Sequence, residues 1–245
     1  MKKHTNLDEV KRVASALLYT DIETTKYSPM VVQHPFTNTG VTAISVEGSF
    51  QLLNLLENPE DLNIWRQSMR HQIDNAETPY QIYGLINSPY ALTFLGFSEP
   101  YLSKEDFSSI LVDAWMMSEY ANRDANVSKE RVVSMFKQAD RIKLMNEMER
   151  TRLDALENSV TVYRGVTSYN AKNVRALSWT LDYDTAVWFA HRFGEDGMVY
   201  QAKIKKEHFF ALLTGRNESE VVLDPKYLEG IAQDLELGQE PELTM

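Results

Sequence analysis

The chain changes its hydrophobic period part-way along, and this limits the folds open to it. From Ser103 to Met145 apolar residues recur at helical spacing; from Val160 to Pro225 they come in short runs that read as strands. The runs are Val160–Val166 (VTVYRGV), Ala176–Leu181 (ALSWTL) and Asn217–Leu223 (NESEVVL), each with polar residues where a strand normally buries apolar ones. Helices followed by strands point to an α+β arrangement rather than alternating β-α units.

Upstream, Val10, Val13, Ala14, Leu17 and Leu18 predict a helix over 6–18 capped by Asn6. Met30–Val32 and Val41–Val46 flank turn residues and predict a hairpin, and Ser49 predicts the cap of a short helix over Phe50 to Leu56. Asn58-Pro59 starts a helix carrying Leu62, Trp65, Met69 and Ile73. Residues 75–102, rich in glycine and proline, read as irregular and mark a boundary, dividing the chain into 1–102 and 103–245. Ser103 with Asp106 predicts a capping box before the stripe Phe107, Ile110, Leu111, Ala114 and Trp115. Ser128 starts the next helix, with Val132, Met135, Phe136, Ala139, Ile142 and Met145 inward. Asp182 caps a helix that buries Ala186, Phe189, Ala190 and Phe193, and residues 229–245, with five acidic and no basic side chains, read as a frayed tail.

Composition narrows the function classes. Hydrophobic residues make up 43% of the 245, enough for a core. A net charge of −10 weighs against general nucleic-acid binding, which needs a basic face, but leaves a local reaction on a nucleic acid open. The absence of cysteine excludes disulfides, thiolate metal sites and cysteine nucleophiles, and the five histidines lack metal-ligand spacing, so no metal is expected. The start of the chain reads as neither a signal peptide nor a membrane span, and a cytoplasmic protein is the expectation.

Alternation along a strand puts Val162, Arg164 and Val166 on one face. An arginine between two valines needs an anion for its guanidinium, either a neighbouring carboxylate or a ligand. Gly165 beside it allows something to approach the backbone closely. In the second run Leu177, Trp179 and Leu181 face the core, while Ser178 and Thr180 form either a half-exposed face or a hydroxyl pair able to hold a carboxylate. In the third, Glu218 and Glu220 fall on one side of a strand. They are either a polar lead-in or two carboxylates with separate roles at the rim of a cleft.

Taken in order, arginine on a strand, a hydroxyl pair before a helix, and Glu-x-Glu leading into a strand resemble the R-S-E class of ADP-ribosyltransferases. The resemblance covers roughly the last third of the chain and includes the local runs Val162–Gly165, Ser178–Ala190 and Glu218–Val221. Similar runs occur in bacterial toxins and phage-encoded proteins. Trp179-Thr180 departs from the threonine then serine of many members. The first hundred residues resemble no named family.

The resemblance implies a fold of N-terminal helices packed on a split pair of antiparallel sheets, with NAD in the cleft between them. It implies cleavage of the nicotinamide–ribose bond of NAD and passage of ADP-ribose to an acceptor. On this reading Glu220 accepts a hydrogen bond from the ribose 2′-hydroxyl and stabilises the sugar cation, as a carboxylate does in glycoside hydrolysis. Ser178 orients Glu220, Arg164 holds a phosphate, the Gly165 backbone meets the nicotinamide amide, and Tyr163 and Thr180 complete the cofactor site. Glu218 aligns or deprotonates the acceptor. A glutamate there goes with an arginine acceptor, so a host protein is the implied partner. Water, making the chain an NAD glycohydrolase, or a nucleic acid remains an alternative acceptor. A non-catalytic NAD-binding protein is a third reading, which the joint presence of Arg164, Ser178 and Glu220 disfavours.

Overall fold

The computed structural model describes residues 2–46, 49–118, 126–194, 196–215 and 218–233. It is a mixed α+β protein with antiparallel sheets, folded as two compact units, Met1–Val132 and Val133–Met245. The division falls beyond the boundary that composition indicates after residue 102. Lys104–Met117 packs on the helices before it and belongs to the first unit.

The first unit opens with α1 (Leu7–Leu18), whose N-cap Asn6 accepts the Glu9 N–H and whose stripe Val10, Ala14 and Leu18 is fully buried. β1 (Glu23–Thr24), β2 (Val31–His34) and β3 (Thr37–Thr39) form a three-stranded sheet. β4 (Val41–Val46) and β5 (Ser49–Asn54) form a hairpin. Ser49–Asn54 is therefore a strand, not the short helix that its serine and leucines predict. The β-branched run of β4 pairs with it from Val41↔Asn54 to Val46↔Ser49, and that ladder outweighs helical spacing.

α2 (Pro59–Asn75) follows with Asn58 accepting the N–H groups of Glu60 and Asp61. Residues 75–102 are not irregular. Pro79 opens α3 (Pro79–Tyr83) behind a Thr78 cap, and α4 (Ala91–Ser98) buries Leu92, Phe94 and Leu95. A proline at the first position of a helix loses no hydrogen bond, so these prolines punctuate short helices rather than prevent them. α5 (Lys104–Met117) has Ser103 accepting the Asp106 N–H, but the return bond expected of a capping box is replaced. Ser103 N–H donates to Thr5 Oγ1, and Thr5 Oγ1 donates to the Asp106 carboxylate.

α6 (Lys129–Gln138) buries Val132, Met135 and Phe136. It ends before Ile142, which is 61% exposed rather than inward, because Asp140 caps a new short helix, α7 (Arg141–Leu144). α8 (Glu147–Asp154) begins with a full capping box between Asn146 and Glu149. Then come β6 (Ser159–Val166), β7 (Ser178–Thr180), α9 (Tyr183–Ala190), β8 (Met198–Lys205), β9 (Phe209–Leu213), β10 (Glu220–Leu223) and β11 (Glu229–Gln233). They form one sheet in the order β11-β8-β6-β7-β10-β9. Residues 229–233 are thus an edge strand on β8 rather than tail, and the remainder of the expected tail lies outside the described residues, as does Asn217 of the third run.

The sheet is continuous rather than a split pair, but β6 and β7 are joined by one residue pair, Tyr163↔Thr180, against eight between β6 and β8. Among the described residues no helix is long and apolar enough to cross a membrane.

In the first unit His34 is 1% exposed, edge-on to Trp65 at 5.4 Å, with Nδ1 accepting the Phe36 N–H at 3.1 Å. Burial holds its pKa down at about 4 from 6.5, and the Arg66 charge acts the same way, against the nearby Leu18 and Thr20 backbone, which favours the charged ring. The unfolded chain therefore takes up this proton first as pH falls. The contribution to stability is whole above pH 6.5 and is lost between 6.5 and 4. At pH 5 the loss is about 2 kcal/mol. Urea unfolding at pH 7 and pH 5 should show a steeper fall for wild type than for His34→Phe, by about that amount; equal slopes would place the effect elsewhere.

Candidate functional site

The strands carrying the arginine, the hydroxyls and the second glutamate, β6, β7 and β10, are neighbours in the sheet. β7 pairs with β6 at Tyr163↔Thr180 and with β10 at Glu220↔Thr180, Val221↔Trp179 and Val222↔Ser178. Directly opposed residues of an antiparallel pair turn their side chains to one face. Tyr163, Thr180 and Glu220 thus form a row across three strands. Ser178 joins the same face by alternation, on the diagonal from Glu220 at roughly 7 Å. The residue straight across from Glu220 is Thr180, not Ser178. Glu220 is 6% exposed and lies between Thr180 on β7 and Leu213 on β9.

Arg164 reaches this group from another direction. Tyr163 packs edge-on to Tyr183 of α9, and an ideal Cβ on Gly165 would lie 2.2 Å from the Ala186 carbonyl oxygen and 2.5 Å from the Ala190 nitrogen. Both residues therefore face α9, and alternation turns Arg164 to the opposite face, with the buried Val162 and Val166. Its Nη1 donates to the Ser178 carbonyl at 2.5 Å. That bond lies just past the last β6–β7 pair, where the two strands are no longer laddered. The structure brings Ser178, Thr180 and Glu220 onto one face and ties Arg164 to them through the backbone of Ser178. The close approach that Gly165 permits is that of the α9 backbone.

Thr180 is buried, and its hydroxyl donates to the Glu218 carbonyl at 2.7 Å while accepting the Asp182 N–H at 3.0 Å. It works on the backbone around it rather than standing beside Ser178 as the second of two presented hydroxyls. Asp182 in turn caps α9 through Asp184 N–H and Thr185 Oγ1. The expected burial of Phe193 does not occur. The helix ends at Ala190, and Phe193 sits at φ 68° with its ring 69% exposed.

Glu218 and Glu220 do not share one side of a strand. β10 begins at Glu220, and Ser219 is left-handed at φ 44°, so the alternation that would pair the two carboxylates stops between them.

Two residues that strand periodicity does not mark, Glu149 and Arg152, bond to the chain on either side of this turn. Glu149, 6% exposed, accepts the Asn146 N–H at 2.9 Å, the Thr214 N–H at 2.7 Å and Thr214 Oγ1 at 3.0 Å. Arg152 Nη2 donates to Ser219 Oγ at 3.0 Å. The Asn-x-x-Glu spacing of 146–149 is a cap signal readable in sequence; nothing local announces that the same carboxylate reaches Thr214, or that Arg152 reaches Ser219. Among the described residues no group of three or more His, Asp or Glu could hold a metal ion.

Comparisons with protein-family models, curated proteins and solved structures find no match.

Gly197 repeats the constraint at Gly165: its Cβ would lie 2.2 Å from the Ala190 carbonyl oxygen. Gly165→Ala should force α9 off the sheet and lower unfolding free energy by about 3 kcal/mol in urea titration, because overpacking against backbone has no flexible neighbour to absorb it. A loss below 1 kcal/mol would mean that the helix seat is looser than these distances say.

Proposed function

We propose that this protein is an NAD-dependent ADP-ribosyltransferase, with an ADP-ribosyltransferase-type fold in its second unit and a protein arginine as acceptor, acting in the cytoplasm of a producing or infected cell. The observation that carries the reading is that Arg164, Ser178 and Glu220, distant in the chain, lie on three adjacent strands, with Ser178 and Glu220 on one face and the Arg164 guanidinium meeting the Ser178 carbonyl from the other.

The donor chemistry fits NAD. A guanidinium with five N–H donors can serve a carbonyl and a phosphate together. Beyond Tyr163, β6 no longer pairs with β7, and the diphosphate would sit at that parting against Arg164, since α9 backbone already fills the space over Gly165. Glu220, held by strand pairing on both sides, supplies a fixed carboxylate for the ribose 2′-hydroxyl. A fixed charge stabilises a developing sugar cation without having to reorganise during the reaction. Ser178 completes that wall from the diagonal. Nicotinamide departs as a neutral base from a cationic pyridinium, so no acid is needed to protonate it. Glu218, across the left-handed Ser219, stands apart from Glu220 and is suited to take the acceptor's proton.

Incubation with labelled NAD and a host lysate tests the reading. A labelled protein band supports transfer, free ADP-ribose alone marks a glycohydrolase, a labelled nucleic acid moves the acceptor class, and no turnover sinks the proposal. Glu220→Gln should reduce nicotinamide release below a tenth of wild type, a loss exceeding about 1.4 kcal/mol of transition-state stabilisation, with an unchanged melting curve. Glu218→Ala should depress transfer to protein about tenfold more than nicotinamide release; equal loss of both would refute the division between the two carboxylates.

A further inference from the structure

We propose that Arg152 of α8 is a positioning residue for the acceptor step, acting through the Ser219 hydroxyl to hold the turn that aims Glu218. The inference rests on the transferase reading above and adds a residue that the Arg-Ser-Glu pattern does not contain.

Ser219 is a non-glycine residue at φ 44°, a region disfavoured by contact between Cβ and the carbonyl oxygen, so it persists where surrounding bonds hold it. From β7 the Thr180 hydroxyl donates to the Glu218 carbonyl, and the Leu181 N–H donates to the Ser219 carbonyl at 3.1 Å. From α8 Arg152 Nη2 holds the Ser219 side chain, while three residues earlier Glu149 holds Thr214 at the near end of the same segment. One short helix thus bonds both Thr214 and Ser219. Glu149 is buried and caps α8, so it belongs to the folded framework. Arg152 is exposed and can be removed without opening the core.

The grip bears unequally on the two carboxylates. Glu220 is fixed by pairing with Thr180 and Leu213, whereas Glu218 precedes the strand and depends on the Ser219 backbone for its aim. In transfer the bond from ribose C1′ to the nicotinamide nitrogen breaks, and its electron pair leaves with nicotinamide. The acceptor nitrogen forms the new bond to C1′ and releases its proton to the Glu218 carboxylate. In hydrolysis water forms that bond and can lose its proton to solvent. A slackened turn therefore costs transfer more than hydrolysis.

The test compares wild type, Arg152→Ala, Arg152→Lys, Ser219→Gly and the Arg152→Ala/Ser219→Gly double variant. Two rates are read, ADP-ribose incorporation into polyarginine and nicotinamide release without acceptor, together with hydrogen exchange at the Leu181 amide. Arg152→Ala should lower the ratio of transfer to release about tenfold and speed exchange at Leu181. Arg152→Lys should recover most of the ratio. Adding Arg152→Ala to Ser219→Gly, which has no hydroxyl to hold, should lower the ratio no further. An unchanged ratio, an equal fall of both rates, or additive losses in the double variant would overturn the inference while leaving the transferase reading standing. A wild-type chain that releases no nicotinamide would overturn both.

Discussion

The second unit depends on how closely α9 lies against the sheet. The carbonyl of Ala186, the nitrogen of Ala190 and the carbonyl of Ala190 occupy the space where Cβ atoms of Gly165 and Gly197 would be. Helix backbone meets sheet backbone with no side chain between, and small residues on both sides make that possible: Ala186 and Ala190 on the helix, Gly165 on β6 and Gly197 just ahead of β8. Such contact gathers many dispersion pairs at their optimum distance and tolerates almost no added volume. It also fixes the facing of β6. With Tyr163 and Gly165 turned to the helix, Arg164 has to point the other way, toward the buried valines. Its guanidinium then finds the Ser178 carbonyl beyond the point where β6 and β7 stop pairing.

Thr180 links this framework to the turn between the glutamates. It is the residue at which β6, β7 and β10 meet, opposite both Tyr163 and Glu220. Its hydroxyl also ties the first residue of the α9 cap to the carbonyl of Glu218. One hydroxyl has one proton and two lone pairs, enough to donate to one backbone group and accept from another while buried. A β-branched residue suits a central strand as well. The helix cap, the strand register and the carboxylate turn are therefore coupled through a single side chain rather than assembled independently.

Helix starts were legible in the sequence because they are set by local chemistry. Asn6, Asn58-Pro59, Ser103 and Asp182 all cap the helices that their types predict. Strands β6, β7 and β10 and the core faces of Val162, Val166, Leu177 and Trp179 were also readable from alternation, whereas β8 and β9 went unmarked and β11 was read as tail. What failed was settled by partners distant in the chain. Ser49–Asn54 became a strand because β4 was there to pair with it, and Lys104–Met117 joined the first unit because helices from 79–98 cover it. Of the candidate site, the residue types and their order were legible, but the diagonal placing of Ser178 follows from register, which no local pattern fixes. The bonds of Glu149 to Thr214 and of Arg152 to Ser219 join a helix to residues more than sixty positions away, beyond the reach of periodicity.

The left-handed Ser219 resolves a difficulty inherent in a Glu-x-Glu pair on a strand. Two carboxylates two residues apart on one face would lie close enough for their charges to raise each other's proton affinity, and one of them here is buried. Continuing the strand through Glu218 would bring the second charge toward the first. Breaking it at Ser219 keeps Glu220 in the ladder and puts Glu218 on a turn, at the expense of a disfavoured backbone conformation worth about 1 to 2 kcal/mol. Bonds from Thr180, Leu181 and Arg152 to this turn offset that strain. Two carboxylates held by different means, one by strand pairing and one by a braced turn, can keep separate environments, and separate environments allow the same chemical group to perform two different tasks.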